Sequence, residues 1–124
     1  MINLKDKKES LFQDKTACPE PLTGESPLLY AERLGEWHST HSPREHKKTQ
    51  GQYFTPSDIA RFMASLTSQV PPMMRILDPG AGCGILSCAV CEHVMQNQSN
   101  IRHLRLDLYE SDVALSWLLE KSMA

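Results

Sequence analysis

The chain has 124 residues, 13 Lys+Arg against 15 Asp+Glu, and a formal net charge of −2. That is one modest domain, and its balanced charge excludes a polycation that coats nucleic acid through charge alone. Hydrophobic residues at 40% and charged residues at 23% are ordinary globular values, and no apolar run is long enough to span a bilayer.

Met1 to Glu9 lacks the apolar core of a secretory signal. The expectation is therefore a cytoplasmic protein without membrane contact, whose Cys18, Cys83, Cys88 and Cys91 are reduced thiols. Residues 1–25 are rich in Lys, Asp and Glu, carry Pro19 and Pro21, and hold few large apolar side chains. Such a stretch buries too little surface to offset its ordering entropy, so it reads as a disordered tail ahead of a domain over 26–124.

Ser26-Pro27 is a capping residue followed by a proline at the first helical position. Tyr30, Leu34 and Trp37 recur on one face, which predicts a helix ending near Trp37–Ser39. A polar link with Arg44, Lys47 and Lys48 follows. A second helix is predicted with Thr55 as cap, Pro56 at its first position and Asp58 at its third. Ile59, Phe62, Met63, Leu66 and Val70 form its apolar stripe, and Pro71-Pro72 stops it.

Beyond the prolines the pattern becomes β-α-β-α. Met73 to Asp78 reads as a buried parallel strand that stops at a glycine-rich turn. Gly84 to Met95 is apolar on most sides, as a helix packed on a sheet would be. Leu104, Leu106 and Leu108 alternate with polar residues along a second strand, and Asp112 caps a last helix through Leu115, Leu118 and Leu119. The alternation predicts an α/β fold with a parallel sheet and a right-handed crossover. Two strands alone leave sheet edges open, so the isolated chain is expected to be marginally stable or to pair with something that completes the sheet.

The chemistry lies in the turn Asp78-Pro79-Gly80-Ala81-Gly82-Cys83-Gly84. Glycines there let backbone approach a ligand and supply positive φ, and helix N–H groups favour an electronegative ligand atom. The next strand closes on Glu110, where a carboxylate can accept hydrogen bonds from both hydroxyls of a ribose. A dinucleotide fingerprint G-x-G-x-x-G fails, because starting from Gly80 its last position is Ile85. A structural turn with no ligand is the alternative.

The pattern D-P-x-x-G-x-G resembles motif I of the S-adenosylmethionine-dependent methyltransferases, with the Asp78 carboxylate able to face the ammonium of the methionine moiety. Upstream, Gly51-Gln52-Tyr53-Phe54-Thr55-Pro56, followed by Ile59 and Ala60, resembles motif X of the amino-group DNA methyltransferases, which precedes motif I there as it does here. Together they resemble the N6-adenine DNA methyltransferases of restriction–modification and related phage-defence systems, in the subclass ordered X, I, catalytic tetrad, target recognition. The resemblance runs from about Ser26 onward. It implies an incomplete Rossmann-like methyltransferase fold, S-adenosyl-L-methionine as cofactor and DNA as the partner of the full-length enzyme. By the same resemblance Tyr53, Phe54, Thr55 and Pro56 hold the methionine end. Asp78, Pro79, Gly80, Ala81, Gly82 and Gly84 form the floor, and Glu110 binds the ribose.

The chain departs from that family at the catalytic step. Its chemistry needs an Asn/Asp/Ser-Pro-Pro-aromatic tetrad after the second strand, to bind the amine of a flipped adenine and stack on the base. The only Pro-Pro here, Pro71-Pro72, lies before motif I between Val70 and Met73. The expectation is a cofactor-binding portion of the enzyme, without tetrad or target-recognition region and inactive alone. A non-catalytic remnant that binds cofactor, another subunit or the remainder of a methyltransferase is the alternative.

Other signals read as structural. Cys83-x4-Cys88-x2-Cys91 has the spacing of a plant-type iron–sulfur loop, but Cys18 lies upstream of where a fourth ligand belongs, so small buried thiols explain the cysteines better. His38 and His41, with His46 nearby, lack ligands to complete a zinc site and read as a solvated helix end. Arg44, Lys47 and Lys48 read equally as contacts to DNA phosphates or as solvated linker. Trp37, Phe62 and Trp117 read as packing residues.

Overall fold

A computed structural model describes residues 18–42, 53–67, 70–97 and 100–124. Within them lie four helices and two strands: α1 (Pro27–His41), α2 (Ser57–Ser65), β1 (Met73–Asp78), α3 (Ile85–Asn97), β2 (His103–Leu108) and α4 (Val113–Met123). The link cations Arg44, Lys47 and Lys48, His46, and the first two residues of the 51–56 motif lie outside the described residues, as do residues 1–17.

The strands pair in parallel, Met73 opposite His103 through Asp78 opposite Leu108. The helix between them makes this a β-α-β unit, a mixed α/β arrangement with a small two-stranded sheet. The expected burial of β1 on both faces is not observed. Met73, Arg75 and Leu77 are exposed while Met74, Ile76 and Asp78 are half-buried. Facing pairs of a parallel ladder share one side of the sheet, so the bare side also carries His103 and Arg105, with Asp107 bound to Arg75 (3.1 Å) and Arg105 (2.9 Å). Both guanidiniums hold the Asp107 carboxyl below the ordinary carboxylate range, Arg105 foremost.

The core is built between helices instead. Tyr30, Leu34 and Trp37 of α1 pack with Cys18, Cys83, Ala114, Leu115 and Leu118, while Leu28 and Ala31 pack with Ala60, Ala64, Ile85, Cys88 and Ala89. Helix α1 thus buries two sides, and its predicted apolar face is one of them. Its Ser26 cap is as read: the Oγ accepts the Leu29 N–H at 3.3 Å. Asp112 likewise caps α4, its Oδ1 accepting from the N–H groups of Ala114 (2.9 Å) and Leu115 (3.3 Å).

Four readings are corrected. Residues 18–25, placed in the tail, pack on the domain. Cys18 is buried, the Tyr30 hydroxyl donates to the Pro19 carbonyl (3.1 Å), and Arg33 forks onto both oxygens of Glu25. Helix α2 begins at Ser57, after Pro56, and ends at Ser65, well before Pro71-Pro72; Thr55 makes no capping bond. The apolar stripe of α2 faces outward. Ala60 and Ala64 are buried, whereas Ile59, Phe62, Met63 and Leu66 are 48%, 64%, 42% and 67% exposed. Short side chains on the alanine ridge let α2 lie close against Ala89 of α3, so the ridge of small residues forms the buried face and the stripe of large ones does not. His38, read as solvated, is fully buried, its ring edge-on to Phe54 at 5.7 Å. His41 alone of that pair is exposed, stacked on Trp37 at 4.7 Å.

With Thr55 unused, the α2 N-terminus is capped from elsewhere: Oε1 of Glu32, on α1, accepts the Ser57 N–H at 2.8 Å. A helix N-terminus welcomes a carboxylate because its first N–H groups lack partners. Glu32→Ala is expected to lower unfolding stability by about 0.5–2 kcal/mol, the range for lost helix caps. Glu32→Gln, which keeps an acceptor oxygen, should recover much of it in the same urea titration. Equal stability of Glu32→Ala and the unaltered chain would remove Glu32 from this role.

Candidate functional site: the glycine turn and its two acids

The turn after β1 is stitched to the end of β2. Tyr109 donates its N–H to the Asp78 carbonyl (2.9 Å), and Ala81 donates to the Tyr109 carbonyl (3.0 Å). These bonds carry the parallel ladder one step past the strands, so the residue after Tyr109 arrives beside the glycines. That residue is Glu110. Its Oε2 accepts the Gly82 N–H at 2.9 Å, and its Oε1 accepts the Asp112 N–H at 3.0 Å.

Asp78 is fixed at the other end of the turn. Its Oδ1 accepts the Gly80 N–H (3.2 Å) and its Oδ2 accepts the Ser87 hydroxyl (2.8 Å). Ser87 lies on α3 and is 1% exposed. Each carboxylate oxygen has two lone pairs, so both acids retain acceptor capacity toward a ligand.

The glycines serve different ends. Gly82 and Gly84 hold positive φ, 57° and 87°, where residues with a Cβ are strained. A Cβ on Gly80 would meet nothing within 4 Å, while one on Gly84 would lie 3.0 Å from Leu119 Cδ1 and 3.1 Å from Ser122 Oγ. Gly80 therefore leaves open space over the turn, and Gly84 lets the turn seat against α4.

Phe54 joins the upstream motif to this turn. Its ring lies where Cβ atoms on Gly35 and Gly82 would touch it, at 3.4 and 3.7 Å. A cavity of about 100 Å³ results, lined by Tyr53, Phe54, Thr55, Asp78, Gly80, Ala81, Gly82, Cys83, Ile85 and Leu86. Pro56, Pro79, Gly84 and Glu110 stand outside that lining, Glu110 joined to it through Gly82. Tyr53 is 95% exposed at the rim. The volume is small beside the roughly 300–1,000 Å³ of enclosed ligand clefts. A nucleoside-sized ligand would lie along the open turn with one end inserted.

A larger apolar cavity, about 430 Å³, lies elsewhere, between Pro27, Cys88, Met95 and Met123. It shares no residue with the turn. Nearby, burial pushes the Cys83 and Cys88 thiols up to about 12, which keeps them protonated and poorly nucleophilic at neutral pH. Cys83 sits in one core cluster and Cys88 in the other, as small apolar side chains do.

Comparison with known proteins bears on this geometry. The family model for N-6 DNA methylases matches residues 34–116, a span that holds Phe54, the glycine turn and Glu110. The chain belongs to the N-6 DNA methylase family. It is similar to the Type II methyltransferase M.BsuBI of Bacillus subtilis, 37% identical over 81 residues, which cover 64% of this chain and 16% of that relative. No solved structure matches. Among the described residues, no helix is long and apolar enough to cross a membrane.

Sequence reading missed the residues that hold the site from outside its motifs. Ser87 and Glu32 each act on a motif through one hydrogen bond, Glu32 from another helix. Neither has a local pattern that announces it.

Proposed function

We propose that this chain is the cofactor-binding portion of a DNA adenine-N6 methyltransferase of restriction–modification type, with S-adenosyl-L-methionine as cofactor. The supporting observation is convergence: a segment from before β1 and the turn after it line one cleft, with an acid at the tip of each strand. Donor chemistry and space fit the cofactor. The methionine ammonium meets Asp78, the ribose hydroxyls meet Glu110, and the missing Cβ of Gly80 leaves room above the floor formed with Pro79, Ala81 and Gly82. Phe54 and Thr55 wall the methionine end, Tyr53 and Pro56 flank it, and Gly84 shapes the turn from below.

When bound, the cofactor supplies an electrophilic methyl group. The residues here bind and orient it; among the described residues none is arranged to bind an adenine amine. The exposed stripe of α2 and the bare side of the sheet accord with the rest of such an enzyme, or another subunit, covering them.

Calorimetric titration tests the reading. S-adenosylmethionine is expected to bind the chain with a Kd on the order of micromolar, and at a hundredfold excess over Kd to add about 2.7 kcal/mol of stability. Incubation with the tritiated cofactor and unmethylated DNA should transfer no methyl group. Absence of heat and of any stabilisation would refute cofactor binding, and transfer would refute inactivity.

A further inference from the structure

We infer that Ser87 is a positioning residue for the cofactor's amino-acid end, acting through the Asp78 carboxylate; this rests on the cofactor reading above. Ser87 lies on α3 beyond the glycine turn, outside the cavity lining. Its side chain is buried, and its hydroxyl donates to Asp78 Oδ2 at 2.8 Å. The opposite oxygen is tied to the Gly80 N–H at 3.2 Å. Rotation of the carboxylate therefore breaks one bond or the other.

Asp78 is only half-buried and borders the cavity. With two anchors of different origin its carboxylate keeps one orientation and presents its remaining lone pairs toward the cleft. Without the Ser87 hydroxyl it is held by one long bond to backbone, and its mean position drifts toward solvent. A hydroxyl in an otherwise apolar helix interior also costs desolvation unless it is bonded, so the Ser87–Asp78 bond is maintained from both sides. Ser87 touches no part of the ligand. Its effect should fall only on ligands that carry an ammonium group for Asp78 to bind.

Two ligands separate this from a general role in folding. S-adenosylmethionine carries the amino-acid end, whereas 5′-methylthioadenosine has the same nucleoside and no ammonium. Ser87→Ala is expected to weaken S-adenosylmethionine binding roughly tenfold, as loss of a hydrogen bond to a charged group does, with 5′-methylthioadenosine affinity unchanged within about twofold. If Ser87→Ala fails to fold by circular dichroism, Ser87→Cys, similar in volume and only a weak donor, is read in the same pair of titrations. Equal weakening of both ligands would make Ser87 merely structural and overturn the inference, as would unchanged affinity for both. Binding of neither ligand by the unaltered chain would remove the cofactor reading itself, and this inference with it.

Discussion

Gly84→Ala is expected to destabilise the chain by roughly 2–5 kcal/mol, while Gly80→Ala, four residues earlier in the same turn, leaves stability within about 0.5 kcal/mol. Two effects add at Gly84. Its φ of 87° costs a residue with a Cβ about 1–2 kcal/mol. The new methyl would also fall 2.6 Å from Met123 Cε, 3.0 Å from Leu119 Cδ1 and 3.1 Å from Ser122 Oγ. The methionine tip can swing aside. Ser122 cannot, because its hydroxyl donates to the Cys83 carbonyl at 2.7 Å and also lies 3.0 Å from that of Leu119. Crowding of this kind costs about 1–3 kcal/mol. Against a total stability of about 5–15 kcal/mol for ordinary domains, the loss is readily seen in urea unfolding followed by the fluorescence of Trp37 and Trp117. Equal midpoints for the two alanine variants would show that α4 does not bear on the turn.

The contrast between these glycines marks what sequence can and cannot carry. That the turn exists, and that it joins a strand to a helix, is written in contiguous residues. The same holds for the caps at Ser26 and Asp112, whose acceptors and donors are two or three residues apart. Both strands are legible as well, β1 as a short apolar run stopped by the glycine turn and β2 by an alternation that repeats every second residue, but the bare side of β1 is not. The packing of α2 is not. Its sequence advertises Ile59, Phe62, Met63 and Leu66, but the buried ridge is Ala60 and Ala64, chosen by how closely α3 can approach. Burial of His38 and capping by Glu32 likewise depend on where another segment lands: Phe54 in one case, Ser57 in the other. The candidate site divides in the same way. Its motif residues are legible as a resemblance, while the bonds that orient them, Ser87 to Asp78 and Glu110 to Gly82, emerge only from the fold.

Glu110→Ala is expected to weaken S-adenosylmethionine binding by about 2–4 kcal/mol, roughly 30- to 1,000-fold, if its carboxylate takes both ribose hydroxyls. Hydrogen bonds to a charged acceptor contribute about 1.5–3 kcal/mol each, so two would give about 3–6 kcal/mol if fully additive, and less when they share one carboxylate. Gly82 and Asp112 occupy one lone pair on each oxygen, so the ribose can be received on those left without releasing the turn. The substitution also strands two N–H groups in the unliganded chain, which should lower stability by a further 1–3 kcal/mol or so. A fall in affinity alone would thus be ambiguous, since a loosened turn binds every ligand less well. The 2′-deoxy analogue of the cofactor resolves it. In the unaltered chain the analogue should bind markedly less tightly than the cofactor itself, and in Glu110→Ala the difference should vanish. A persisting preference for ribose would assign the hydroxyls to another acceptor and leave Glu110 only its bonds to Gly82 and Asp112.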